Sequence, residues 1–122
     1  MDYKNIILLA GEWETTPIVY NFLKENFQLN KIIIEKPVSR KEFLKKRIKK
    51  LGLFEVGGQI LFQLLIGNPL AKTSQKRIKE IIRQYNLSQV QIPEQHTLHV
   101  TSVNSSKSLQ ELQQIIPDLI IV

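Results

Sequence analysis

Two short, uninterrupted apolar runs separated by one helix-length segment constrain this chain more than any other feature of it. Asn5-Ile6-Ile7-Leu8-Leu9-Ala10 closes on Gly11, and Lys31-Ile32-Ile33-Ile34-Glu35 closes on Lys36-Pro37. Neither run alternates with polar residues, which marks strands covered on both faces, as in a parallel sheet. Between them, Thr16-Pro17 reads as a helix start with threonine as N-cap and proline in the first turn. Ile18, Phe22 and Leu23 form its predicted apolar stripe. A strand, helix, strand unit of about 30 residues requires a right-handed crossover between parallel strands.

The rest of the chain extends that pattern. Ser39 stands three residues before Glu42, a capping box that opens a helix in which Phe43, Leu44, Ile48 and Leu51 recur at helical spacing. Gly52, Gly57 and Gly58 interrupt the apolar continuation to Ile66 and predict a kink or break, and Gly67-Asn68-Pro69 predicts its end. Ser74 is the predicted cap of a further helix with Ile78, Ile81, Ile82 and Tyr85 on one face and Asn86 as its stop. Residues 87–97, with Pro93, read as a polar loop, and Leu98–Val103 as a third strand. Asn104-Ser105-Ser106 caps a helix to Ile116 with Leu109, Leu112, Ile115 and Ile116 facing inward. Pro117-Asp118 then turns the chain into Leu119–Val122, read as an interior strand. The expected fold is α/β, a Rossmann-like three-layer sandwich whose mostly parallel sheet of about four strands carries helices on both faces. At 122 residues the expectation is one domain over 1–122, with a basic helical insertion at about 39–86.

Composition narrows the chemistry. The absence of cysteine excludes disulfides, thiolate nucleophiles, zinc fingers and iron–sulfur clusters, and fits a reducing compartment. The apolar run after Met1-Asp2-Tyr3-Lys4-Asn5 is too short for a signal peptide's core. Leu53–Ile66, the longest apolar-rich stretch, holds Glu55, two glycines and two glutamines, whereas a membrane span needs about 20 apolar residues. A cytoplasmic protein with no transmembrane segment is expected.

The net charge of +6 is unevenly placed. Lys36, Arg40, Lys41, Lys45, Lys46, Arg47, Lys49 and Lys50 face one acid, Glu42, so 36–50 carries +7 and the remainder −1. One reading of Arg40, Lys41, Lys45, Lys46, Arg47, Lys49 and Lys50 is a solvated helix face; the other is a site for RNA or another polyanion. Four phosphate contacts would cost about two orders of magnitude in affinity between about 50 and 200 mM salt. The neighbouring stretch Leu53–Ile66 adds membrane-surface or partner-helix association, and a structural or homo-oligomerising role, as competing readings.

The loop after the first strand is the candidate substrate contact, through Gly11, Glu12, Trp13, Thr15 and Thr16. A phosphate-binding turn would need more than its single glycine, and Glu12 and Glu14 repel anions, so a tight turn with a partly packed Trp13 is expected. Glu94-x-His96-x-x-His99 has metal-ligand residue types, but on a loop and strand the imidazoles need not converge. They are read as solvent-exposed, with no metal site, and Asp118 as a cap of the preceding turn.

Val103-Asn104-Ser105, a short leucine-bearing helix, and Pro117-Asp118-Leu119-Ile120-Ile121-Val122 resemble the segment leading into the active site of 10-formyltetrahydrofolate-dependent formyltransferases. That family includes methionyl-tRNA formyltransferase, glycinamide ribonucleotide formyltransferase and sugar N-formyltransferases. The strand to Gly11 and the helix after Pro17 take the places of its first βα unit. The resemblance implies formyl transfer from 10-formyltetrahydrofolate to an amine, and a chain cut before its site, inactive by itself. The family's catalytic Asn-x-His and downstream aspartate match no position here, so no catalytic residue is assigned. Gly11-Glu12-Trp13-Glu14-Thr15-Thr16-Pro17 also departs from the Gly-Thr-Pro-x-Phe loop of the methionyl-tRNA branch.

Overall fold

Each apolar run becomes a strand whose alternate residues enter two different cores. The structure, a computed structural model, describes residues 3–122, and these divide into two compact units, 3–37 with 88–122, and 38–87.

In the first unit, β1 (Ile6–Gly11), β2 (Leu29–Glu35), β3 (Thr97–Val100) and β4 (Leu119–Ile121) form one sheet in the order β3-β2-β1-β4. All three pairings are parallel, with Leu8 opposite Ile32 on one side and Ile121 on the other. Leu8, Ile32 and Ile34 pack with Tyr20 and Leu23 of helix α1 (Thr16–Asn26). Ile7, Ile33 and Val100 form the opposite core, against Leu112 and Ile115 of the helix following β3, residues Ser106–Ile115. The chain is therefore α/β and Rossmann-like, with helices on both faces of a parallel sheet.

Several local expectations are corrected. The buried face of α1 is Thr16, Tyr20 and Leu23, while Phe22 is exposed. In the Ser106–Ile115 helix the buried position is Ser108, with Leu112 and Ile115 beside the core; Leu109 and Ile116 point outward. In both helices a polar or small side chain sits where the backbone approaches the sheet, so the inward stripe is rotated from the one apolar spacing predicts. The third strand is Thr97–Val100, shorter than 98–103. Leu119–Ile121 is parallel as expected, but among the described residues it is an edge strand, with Ile120 exposed. Asp118 does not cap the preceding helix: its Oδ2 accepts from the backbone N–H groups of Lys4 and Asn5, 3.0 and 3.1 Å away. The Asp118 N–H returns a bond to the Asn5 carbonyl at 2.8 Å, clamping β4 to the start of β1.

The second unit is wholly helical. Helix α2 spans Arg40–Leu51, with the Ser39 hydroxyl accepting from the Glu42 N–H at 3.3 Å as a capping residue should. Gly52 adopts φ 88° and ψ 161°, open in practice only to glycine, and separates α2 from α3 (Leu53–Phe62). Gly57 and Gly58 lie inside α3 without a break, correcting the expected kink there. Gly67-Asn68-Pro69 does not end the helix either. A π-helical turn, Gln63–Gly67, leads directly into α4 (Asn68–Gln84). Pro69 falls in the first turn of α4, where its missing N–H costs least. Ser74 is thus interior to α4 rather than its cap, whereas Asn86 (φ 49°) follows the end as expected. The helix Ser106–Ile115 of the first unit is α5, capped by Ser105, whose hydroxyl accepts from the Ser108 N–H.

A Cβ at Gly57 or Gly58 would meet no atom within 4 Å. Gly57→Ala and Gly58→Ala should each stabilise the helical unit by about 0.5–1 kcal/mol. Gly52→Ala should destabilise it by about 1 kcal/mol or more. Urea titrations followed at 222 nm measure all three, and the opposite order would relocate the break.

Candidate functional site

The carboxyl ends of β1, β2 and β3 bring Thr16, Glu35 and His99 to one edge of the sheet. Beyond β1 the chain folds into a closed turn. The Trp13 N–H donates to the Gly11 carbonyl at 3.0 Å, and the Thr16 N–H to the Trp13 carbonyl at 3.1 Å. Thr16, only 6% exposed, donates its hydroxyl to the Gly11 carbonyl at 2.8 Å and lies 3.4 Å from the Trp13 N–H. Thr16 therefore serves the turn, and Thr15 occupies the N-cap position without a side-chain cap. With the Trp13 and Thr16 amides engaged inside the turn, it does not present the free N–H groups of a phosphate cradle.

Trp13 is 71% exposed, yet its indole lies over Gly11: a Cβ added there would come 2.3 Å from Nε1. Trp13 and Thr16 border a cavity of about 220 Å3 whose other walls include Ile34, Ile92, Thr97 and His99. Glu12 and Glu94 also line it; Gly11 and Thr15 do not. Sequence reasoning reached the turn but missed Ile92, Thr97 and His99, which β3 and the segment before it bring to the same face. The one available signal was strand alternation: Thr97 and His99 fall opposite Leu98 and Val100.

The two histidines diverge and are half-buried rather than solvent-exposed. Nε2 of His99 lies 3.7 Å from a Glu94 carboxylate oxygen, and its buried Nδ1 has no hydrogen-bond partner. His96 Nδ1 instead approaches the Asn30 carbonyl at 3.4 Å. Among the described residues no three histidine, cysteine or acidic side chains gather as a metal site. At the end of β2, Glu35 accepts from the Val103 N–H at 2.8 Å. The carboxylate that a dinucleotide-binding fold would offer to a ribose is held here by the loop after β3.

The helical unit has a different character. Arg40, Lys41, Lys45, Lys46, Arg47, Lys49 and Lys50 are all exposed on α2, with Arg47 stacked 5.1 Å above the Phe43 ring. α2 buries no residue, and Phe43, Ile48 and Leu51 remain exposed. The basic character reaches beyond 36–50, because α4 adds Lys72, Lys76, Arg77, Lys79 and Arg83. Twelve of the 17 basic residues and three of the 11 acids lie in 38–87, a net +9 against −3 elsewhere.

Comparison with protein-family models, with curated proteins and with solved structures gives no match.

Gly11→Ala should turn the exposed indole rather than the backbone, at a stability cost below about 1 kcal/mol, with a changed emission maximum for the single tryptophan. Thr16→Val should cost about 1–3 kcal/mol because the turn loses a buried hydroxyl. Fluorescence and urea unfolding together check both, and equal stability losses would contradict the turn described.

Proposed function

We propose that this chain forms the N-terminal α/β part of a formyltransferase that transfers a formyl group from 10-formyltetrahydrofolate to an amine. The observation that carries the reading is the order β3-β2-β1-β4, in which β4 lies parallel to β1 on the side away from β2. In open α/β sheets ligands bind outside the carboxyl ends of the strands where the order reverses, here between β1 and β4. The Gly11–Thr16 turn would then form one wall of the substrate cleft. Two residues of the segment that carries the resemblance have structural work here: Ser105 caps α5, and Asp118 clamps β4 to β1.

A cavity of about 220 Å3 beside Trp13 is smaller than the roughly 300–1,000 Å3 typical of drug-sized ligands. The described residues do not enclose a folate, and no step of the transfer is assigned to them. In the resembled family an asparagine amide and a histidine stabilise the oxyanion while an aspartate moves protons. The reading expects a reading frame continuing past Val122 into an Asn-x-His segment and a later aspartate. Its full product should release tetrahydrofolate from 10-formyltetrahydrofolate in the presence of an amine acceptor, and the 122-residue chain should not. A stop codon directly after Val122 contradicts the reading.

The net +9 of 38–87 favours a second role, contact with an anionic partner. Retention on heparin should fall steeply with salt and drop further in Lys45→Glu/Lys46→Glu/Lys49→Glu. Unchanged retention in that variant would remove this role.

A further inference from the structure

The helical unit exposes an apolar stripe as well as its charge. On α3, Phe54, Leu61 and Phe62 lie within about 100° of one another around an ideal helix, and Leu65 follows in the π turn. All four are solvent-exposed, Phe54 at 98% and Leu65 at 68%. The polar side chains of α3 are Glu55 and Gln59. Among α2, α3, the π turn and α4, only Val56 is buried. Between Leu51 and Ala71 the sole charge is Glu55, and basic helices flank this stretch on both sides, α2 before it and the Lys72–Arg83 part of α4 after it.

We infer that the helical unit 38–87 docks on an anionic lipid surface, with Phe54, Leu61, Phe62 and Leu65 entering the headgroup boundary and the flanking lysines and arginines meeting lipid phosphates. The inference rests on the anionic-partner reading above and names the partner. Charge complementarity alone suits RNA equally well, but bases could stack only on Phe54 and Phe62 of the stripe, and a nucleic acid would leave Leu61 and Leu65 wet. The only aromatic residue on α2 is Phe43, already stacked with Arg47, so base stacking has little to work with there. A lipid interface uses both features, the apolar face in the acyl boundary and the basic residues at the phosphates. No helix among the described residues is long and apolar enough to cross a membrane.

The test is co-sedimentation of the 122-residue chain with vesicles of phosphatidylcholine alone and of phosphatidylcholine with about a quarter phosphatidylglycerol. Binding to the anionic vesicles should exceed binding to the neutral ones by about tenfold or more at low salt. Phe54→Ser/Leu65→Ser replaces two exposed side chains, so the helix should persist by circular dichroism. This variant should lose about tenfold or more in vesicle binding while keeping its heparin retention. Lys45→Glu/Lys46→Glu/Lys49→Glu should lose both. Vesicle binding indifferent to Phe54→Ser/Leu65→Ser overturns the inference. So does heparin or tRNA binding without vesicle binding, which would leave the anionic-partner reading standing with nucleic acid as its partner. Loss of all three would end both. A dimer that dissociates in Phe54→Ser/Leu65→Ser, with no vesicle binding, would assign the stripe to a second copy.

Discussion

Burial of β1 and β2 on both faces is the constraint from which the rest of the first unit follows. Ile7 and Ile33 enter one core while Leu8, Ile32 and Ile34 enter the other, so a helix must cover each side. α1 and α5 do so, and the connection through α5 carries the chain past β2 to the free side of β1. That move creates the reversal in strand order on which the functional reading depends.

In such strands a one-residue slip would exchange side chains between the two cores rather than bury a polar one, so core packing and the strand ends share the task of setting register. At the strand ends, Asp118 holds the amides of Lys4 and Asn5, and Glu35 holds the amide of Val103. Lys31 pairs with Glu111 across the β2–α5 boundary. These polar contacts add to the alignment that packing of the isoleucine-rich interiors specifies.

The same division explains what could be read from the sequence. Isoleucine runs, the Ser39 and Ser105 caps and the stop at Asn86 depend on local chemistry, so they were legible. The inward faces of α1 and α5 were not, because Thr16, Tyr20 and Ser108 occupy contact positions that apolar spacing assigns elsewhere. Gly57, Gly58 and Pro69 were misleading for another reason. A helix tolerates glycine at a modest cost and proline in a first turn, and the π turn before Asn68 leads one helix into the next. Of the candidate site, the Gly11–Thr16 turn was visible, but His99 and Thr97 reach the cavity only through strand pairing of β2 with β3.

The two units thus divide their physics, one acidic overall with an apolar core on each face of its sheet, the other strongly basic with its apolar residues outward. The claim beneath the functional reading is that β4 runs parallel beside β1. Backbone NOEs in isotope-labelled protein test it most directly. Contacts linking Ile6 with Leu119, Ile7 with Ile120 and Leu8 with Ile121 are expected. An antiparallel pattern, or Leu119–Ile121 paired elsewhere, would contradict the account.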